Sequence, residues 1–179
     1  MSQSAAAVHT VPAGIITHTI VSIRGNQDAD LTVYHARTPD VRVAMIWGDV
    51  MMTLYTADAI QGILEGFVAA RAAMAQVPRE IPAPAAEVEP CARPALCIDW
   101  TRRPAYAVVS QTAPSKRGGK TVHWVDLHMG PLTYQIRDQI GLLSALDLLT
   151  RAHRTAIAVC LDGDQHSADP TSDDYRWPA

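Results

Sequence analysis

Apolar residues in this chain recur at two spacings, and the switch between them marks out its elements. Ile60, Ile63, Leu64, Phe67 and Val68 fall at i, i+3, i+4, i+7 and i+8, one buried stripe of an α-helix. Thr56 suits its N-cap, Asp58 suits the positive end of its dipole, and Pro78 is expected to close it. A second helix is expected on Ile140, Leu142, Leu143, Leu146 and Leu149, a wider apolar face that two neighbours would cover. The β-branched residues of Ala156–Leu161 leave helix and strand both open there.

Ahead of each helix the period drops to two. Val41 begins a strand, a turn at Gly48 and a second strand; Thr121 begins the same series around Gly130. Upstream of these lie Ile15–Ile23 and Leu31–Ala36 in the first half, joined through Gly25-Asn26-Gln27-Asp28. Their counterparts are Leu96–Thr101 and Ala105–Gln111, joined through Arg102-Arg103-Pro104. Asp58, Ile60, Ile63 and Arg71 fall opposite Asp138, Ile140, Leu143 and Arg151 at an offset of 80, while the turn glycines are 82 apart. A difference of two keeps every strand side chain on its own face.

These patterns predict an α+β fold: a tandem duplication of a ββββα unit, with antiparallel meanders and one long helix per unit, packed as a pseudo-dimer. The predicted boundaries are residues 1–77 for the first unit, 78–94 for a Pro-rich linker, 95–162 for the second unit and 163–179 for a flexible acidic tail.

Composition narrows the setting. With 48% apolar and 18% charged residues the 179-residue chain can bury a core. No run approaches the roughly 18 apolar residues of a membrane span. Met1–Pro12 lacks the basic start and apolar block of a signal peptide, so a cytoplasmic location is expected. Cys91, Cys97 and Cys160 form neither a disulfide framework nor a zinc pattern. Arginine outnumbers lysine and alanine is abundant, as in proteins of GC-rich bacterial genomes.

Candidate chemistry is sparse. Gly119-Lys120-Thr121 ends like a phosphate-binding loop, but Pro114 stands where that loop needs glycine, and a strand follows instead of a helix. His123 and His128 are five apart on one strand, on opposite faces, so they cannot share a metal. Trp124, Asp126 and His128 do share a face and form a candidate ligand or proton-transfer site. No serine, cysteine or lysine has a nucleophile's setting, and the sequence assigns no catalytic residue, metal site or cofactor.

Charge is more informative than its net value of −3. Basic side chains of the second unit gather at strand connections, namely Arg102, Arg103, Lys116, Arg117 and Lys120, with Trp124 on a nearby strand. Basic loops beside an aromatic ring are how single-stranded nucleic acid is held, phosphates on the cations and bases on the rings.

Four strands then a helix, given twice, with strand-into-helix segments Met51–Glu65 and Leu132–Asp147, resembles the Whirly and transcriptional-coactivator type of single-strand binder. The resemblance implies paired sheets braced by helices and a nucleic-acid partner, and assigns no individual residue. The leading expectation is therefore a non-enzymatic nucleic-acid-binding or regulatory module. The alternative is a protein-interaction adaptor acting through sheet edges and the acidic tail. A small-molecule binder or enzyme near Trp124, Asp126 and His128 stands third. No membrane partner is expected, and a homodimer is compatible with the sequence.

Overall fold

The computed structural model describes residues 16–81, 95–115 and 119–177. Cys91, Lys116, Arg117 and most of the predicted linker lie outside the described residues. The first unit runs β1 (Thr19–Ile23), β2 (Ala29–Tyr34), β3 (Arg42–Trp47), β4 (Val50–Leu54) and α1 (Ala57–Arg71). The second runs β5 (Leu96–Trp100), β6 (Ala107–Pro114), β7 (Thr121–Met129), β8 (Leu132–Ile136) and α2 (Gln139–Val159). The fold is α+β, with two four-stranded sheets and the same element order in both units.

The expected meanders are corrected by the topology. One sheet is ordered β1-β8-β7-β6 and the other β2-β3-β4-β5, so β1 does not pair with β2, nor β5 with β6. Each unit sends its first strand into the other unit's sheet. There β1 lies parallel to β8 (Thr19 opposite Leu132) and β5 parallel to β4 (Leu96 opposite Val50). The helices cross over too: α1 lies against β6 and β7, α2 lies against β2 and β3, and the two pack on each other.

One continuous core results. Val43, Met45 and Trp47 of β3 are buried, as are Val125, Leu127 and Met129 of β7. Phe67 meets Tyr134 edge-on at 5.0 Å, Trp47 stacks on Tyr134 at 6.1 Å, and the Tyr134 hydroxyl donates to Met52 sulfur at 3.3 Å. Side chains of both sheets thus meet at the centre.

The helix alignment also changes. Asp138 is the N-cap of α2, as Thr56 is of α1, so the helices begin 82 residues apart, in step with the strands. Ile60, Ile63, Leu64 and Phe67 then correspond to Leu142, Ala145, Leu146 and Leu149, all buried, while Leu143 is 52% exposed. The first helix ends at Arg71 and a 3-10 turn (Met74–Gln76) intervenes before Pro78. The second continues to Val159, so Ala156–Val159 is helical.

Residues 163–177, expected as a flexible tail, instead lie against both helices. Gly163–His166 form a 3-10 turn, and the Gln61 amide donates to the His166 and Ala168 carbonyls at 3.2 and 2.9 Å. The Tyr175 hydroxyl donates to Glu65. The reason lies on α1, where Asp58, Gln61 and Glu65 form a polar stripe beside the apolar one and offer partners to any segment laid across them.

Candidate functional site

An added parallel strand leaves one edge of itself unpaired. In β1, Thr19 N–H donates to the Pro131 carbonyl at 2.7 Å and the Ile23 carbonyl accepts from Arg137 N–H at 2.8 Å. Main-chain groups alternate sides along a strand, so those of Ile20 and Ser22 face away from β8. In β5, Leu96 N–H donates to the Asp49 carbonyl and the Trp100 carbonyl accepts from Tyr55 N–H, each at 3.1 Å. By the same alternation the groups of Cys97 and Asp99 face away from β4. Both strands are terminal in their sheets among the described residues.

A crevice runs beside each free edge. The first, of about 520 Å³, is walled by β1 on one side and by the β3–β4 turn and Leu96 on the other, with Trp47 and Tyr134 also lining it. The second, of about 340 Å³, is walled by β5 on one side and by Met129, Pro131 and Leu132 on the other. The two stand at corresponding places. Thr19 and Leu96 are 77 residues apart, while Trp47 and Met129, and Val50 and Leu132, are 82 apart. Their chemistry differs in degree: Asp28 and Asp49 border the first, whereas the second has Asp99 beside the apolar Ile16, Ile98 and Met129.

Among the described residues, the basic side chains of the expected rim stand apart. Arg102 stands in the link before β6 and Lys120 in the turn after it, both exposed. The eight residues of β6 separate them, about 23 Å at 3.3 Å per step. Arg103 is engaged elsewhere: its guanidinium donates to Asp58 at 3.0 Å and Gln61 at 3.1 Å and pairs with Glu65. Burial opposes its charge, but bonds to Asp58, Tyr175 and Glu65 outweigh that and raise its pKa.

Trp124, Asp126 and His128 do share a face, and each is bonded to a neighbour there. The Trp124 indole N–H donates to Asp126 at 2.9 Å, and Arg137 sits 5.3 Å over the Trp124 ring. Asp126 also accepts from Gln135 at 3.4 Å. His128 Nδ1 bonds Thr133 at 2.8 Å, across the β7–β8 pair. These neighbours engage Asp126 Oδ1, His128 Nδ1 and the Trp124 ring. Among the described residues no three His, Cys, Asp or Glu are grouped to hold a metal, and no helix is long and apolar enough to cross a membrane.

Sequence reasoning passed over the polar cluster around Arg103. Glu65 is 1% exposed and Gln61 5%, on a helix otherwise read for its apolar stripe. A carboxylate that deep requires a cation, which Arg103 supplies from the β5–β6 link. The legible signal was the spacing of Asp58, Gln61 and Glu65 on one helical face.

His153, also 1% exposed, has Nε2 2.8 Å from the His166 carbonyl and so ties the C-terminal segment to α2. Burial lowers its pKa from 6.5, which favours the neutral ring donating through Nε2. Such a group stabilises the fold above its unfolded pKa and loses that contribution as pH falls below it. Limited proteolysis within residues 163–177 is therefore expected to be faster near pH 5 than near neutrality. His153→Gln, which retains a donor without the titration, is expected to flatten the dependence. Equal acid sensitivity in both proteins would show that another group controls the segment.

Comparison with protein families, curated proteins and solved structures finds no match.

Proposed function

We propose that this chain is a tandem duplication serving as a non-enzymatic protein-interaction module, which takes an extended segment of a partner onto the free edge of β1 or β5. One observation carries the reading: two corresponding crevices, each bounded by a strand whose alternate main-chain groups are unpaired. Strand addition satisfies such groups directly, while the adjoining crevice receives every second side chain. Edge strands left open in this way recruit other chains unless they are covered or charged.

The nucleic-acid reading draws less support. Arg103 is consumed by Glu65 and Asp58, and Arg102 and Lys120 stand at opposite ends of β6.

Two labelled probes separate the readings by fluorescence anisotropy. A soluble decapeptide of alternating valine and threonine is expected to bind, and a single-stranded oligothymidylate is not. Ile20→Pro and Cys97→Pro each remove an N–H that faces away from the neighbouring strand, so the sheets should tolerate them. Each ring also blocks its edge, and the variant on the strand used should weaken the peptide about tenfold. Salt-sensitive oligonucleotide binding without peptide binding would reverse the assignment.

A further inference from the structure

We propose that the crevice along β1 selects an extended segment carrying a lysine or arginine side chain; this deepens the strand-addition reading and rests on it. The crevice has two charged residues among its lining, Asp28 and Asp49, and both are exposed. No lysine, arginine or histidine lines it. The Asp28 carboxylate accepts the Ala29 N–H through Oδ1 at 2.8 Å, which fixes its position and leaves Oδ2 without a bond among the described residues. In the crevice along β5, Pro131 stands at the place of Asp49, and the lining is largely apolar. Asp99 is the one charged residue there, so the β1 crevice carries two carboxylates where the β5 crevice carries one.

Deeper in, the Trp47 indole N–H is already bonded to Gln27 at 2.9 Å. Trp47, 7% exposed above the buried Tyr134, therefore offers a small aromatic surface to an aliphatic stem, not a polar tip. A long basic side chain matches both features, its stem inside and its cation at the border. A segment bound by β1 main-chain groups would direct alternate side chains into this space. Acidic segments would bring like charge within a Debye length of about 8 Å and be disfavoured.

Three decapeptides test the selection: the valine–threonine parent, the same peptide with one central lysine, and the same peptide with one central glutamate. Exposed ion pairs are weak, so the lysine peptide is expected to bind about two- to fivefold more tightly than the parent, and the glutamate peptide more weakly. The preference should vanish in Asp28→Asn/Asp49→Asn, whose thermal midpoint should match the wild type because both side chains are exposed. Equal binding of the lysine and glutamate peptides would overturn the charge selection while leaving strand addition standing. Binding of none of the three would remove strand addition and this inference together. A lysine preference retained in the double variant would place the selecting groups elsewhere. Self-association of the peptide-free protein that Ile20→Pro abolishes would make a second copy the occupant and overturn the inference.

Discussion

Replacing Asp138 with alanine is expected to destabilise the fold by about 3–5 kcal/mol, more than a lost helix cap alone. The Asp138 side chain is fully buried and accepts from Gly141 at 2.7 Å as the α2 N-cap. It also accepts from Gly25 N–H, at 3.0 and 2.9 Å through its two oxygens, and from Ile81 N–H at 2.9 Å. One carboxylate therefore joins the β1–β2 link, the start of the inter-unit linker at Ile81 and the start of α2. Loss of a cap costs about 1 kcal/mol, and each buried donor left without a partner costs about 1–3 kcal/mol. Urea unfolding should show a lower midpoint with an unchanged slope. Asp138→Asn, which keeps one acceptor, should lie between alanine and wild type. A loss under about 1 kcal/mol for alanine would mean that water replaces the carboxylate at all three donors.

Phe67→Ala is expected to cost a similar amount, about 3–5 kcal/mol, for a different reason. Phe67 is fully buried and lies 5.9 Å from Trp47 and 5.0 Å from Tyr134, between residues of both sheets. Its removal leaves a cavity whose walls are held by two separate sheets and cannot easily collapse. Phe67→Leu should recover most of the loss. An effect under about 1 kcal/mol for alanine would show that the walls close after all.

Much of the secondary structure was legible because it is local. The stripe from Ile60 to Phe67 identified α1, and the alternation around Gly48 and Gly130 identified the two hairpins; both glycines adopt positive φ, 55° and 59°. Strand partners were not legible. The five residues Arg24–Asp28 suit a hairpin or a crossover equally by length. What holds them are remote groups, the Asp138 carboxylate on Gly25 and Ser144 on the Gln27 N–H. The same separation explains the offset of 80 first given to the helices: Asp138 reads as a first-turn acid, and only its bonds identify it as the cap.

The site was legible in part. Arg103 stood out as basic, but its neutralisation needed Glu65, 38 residues earlier in the chain. Trp124, Asp126 and His128 were placed correctly on one face by strand parity, whereas Gln135, Thr133 and Arg137, which occupy them, arrive from β8 and the residue after it. The crevices were beyond reach without the topology, since each requires a strand from the other unit.

Amide hydrogen exchange read residue by residue is the most direct test of strand addition. In the free protein, Ile20, Ser22, Cys97 and Asp99 should exchange fast, while Val21 and Ile98, paired to β8 and β4, should be protected. On adding the lysine decapeptide, Ile20 and Ser22 should become protected and Lys120 should not change. Protection that appears at the β6–β7 turn, or at no β1 or β5 amide, would contradict the account.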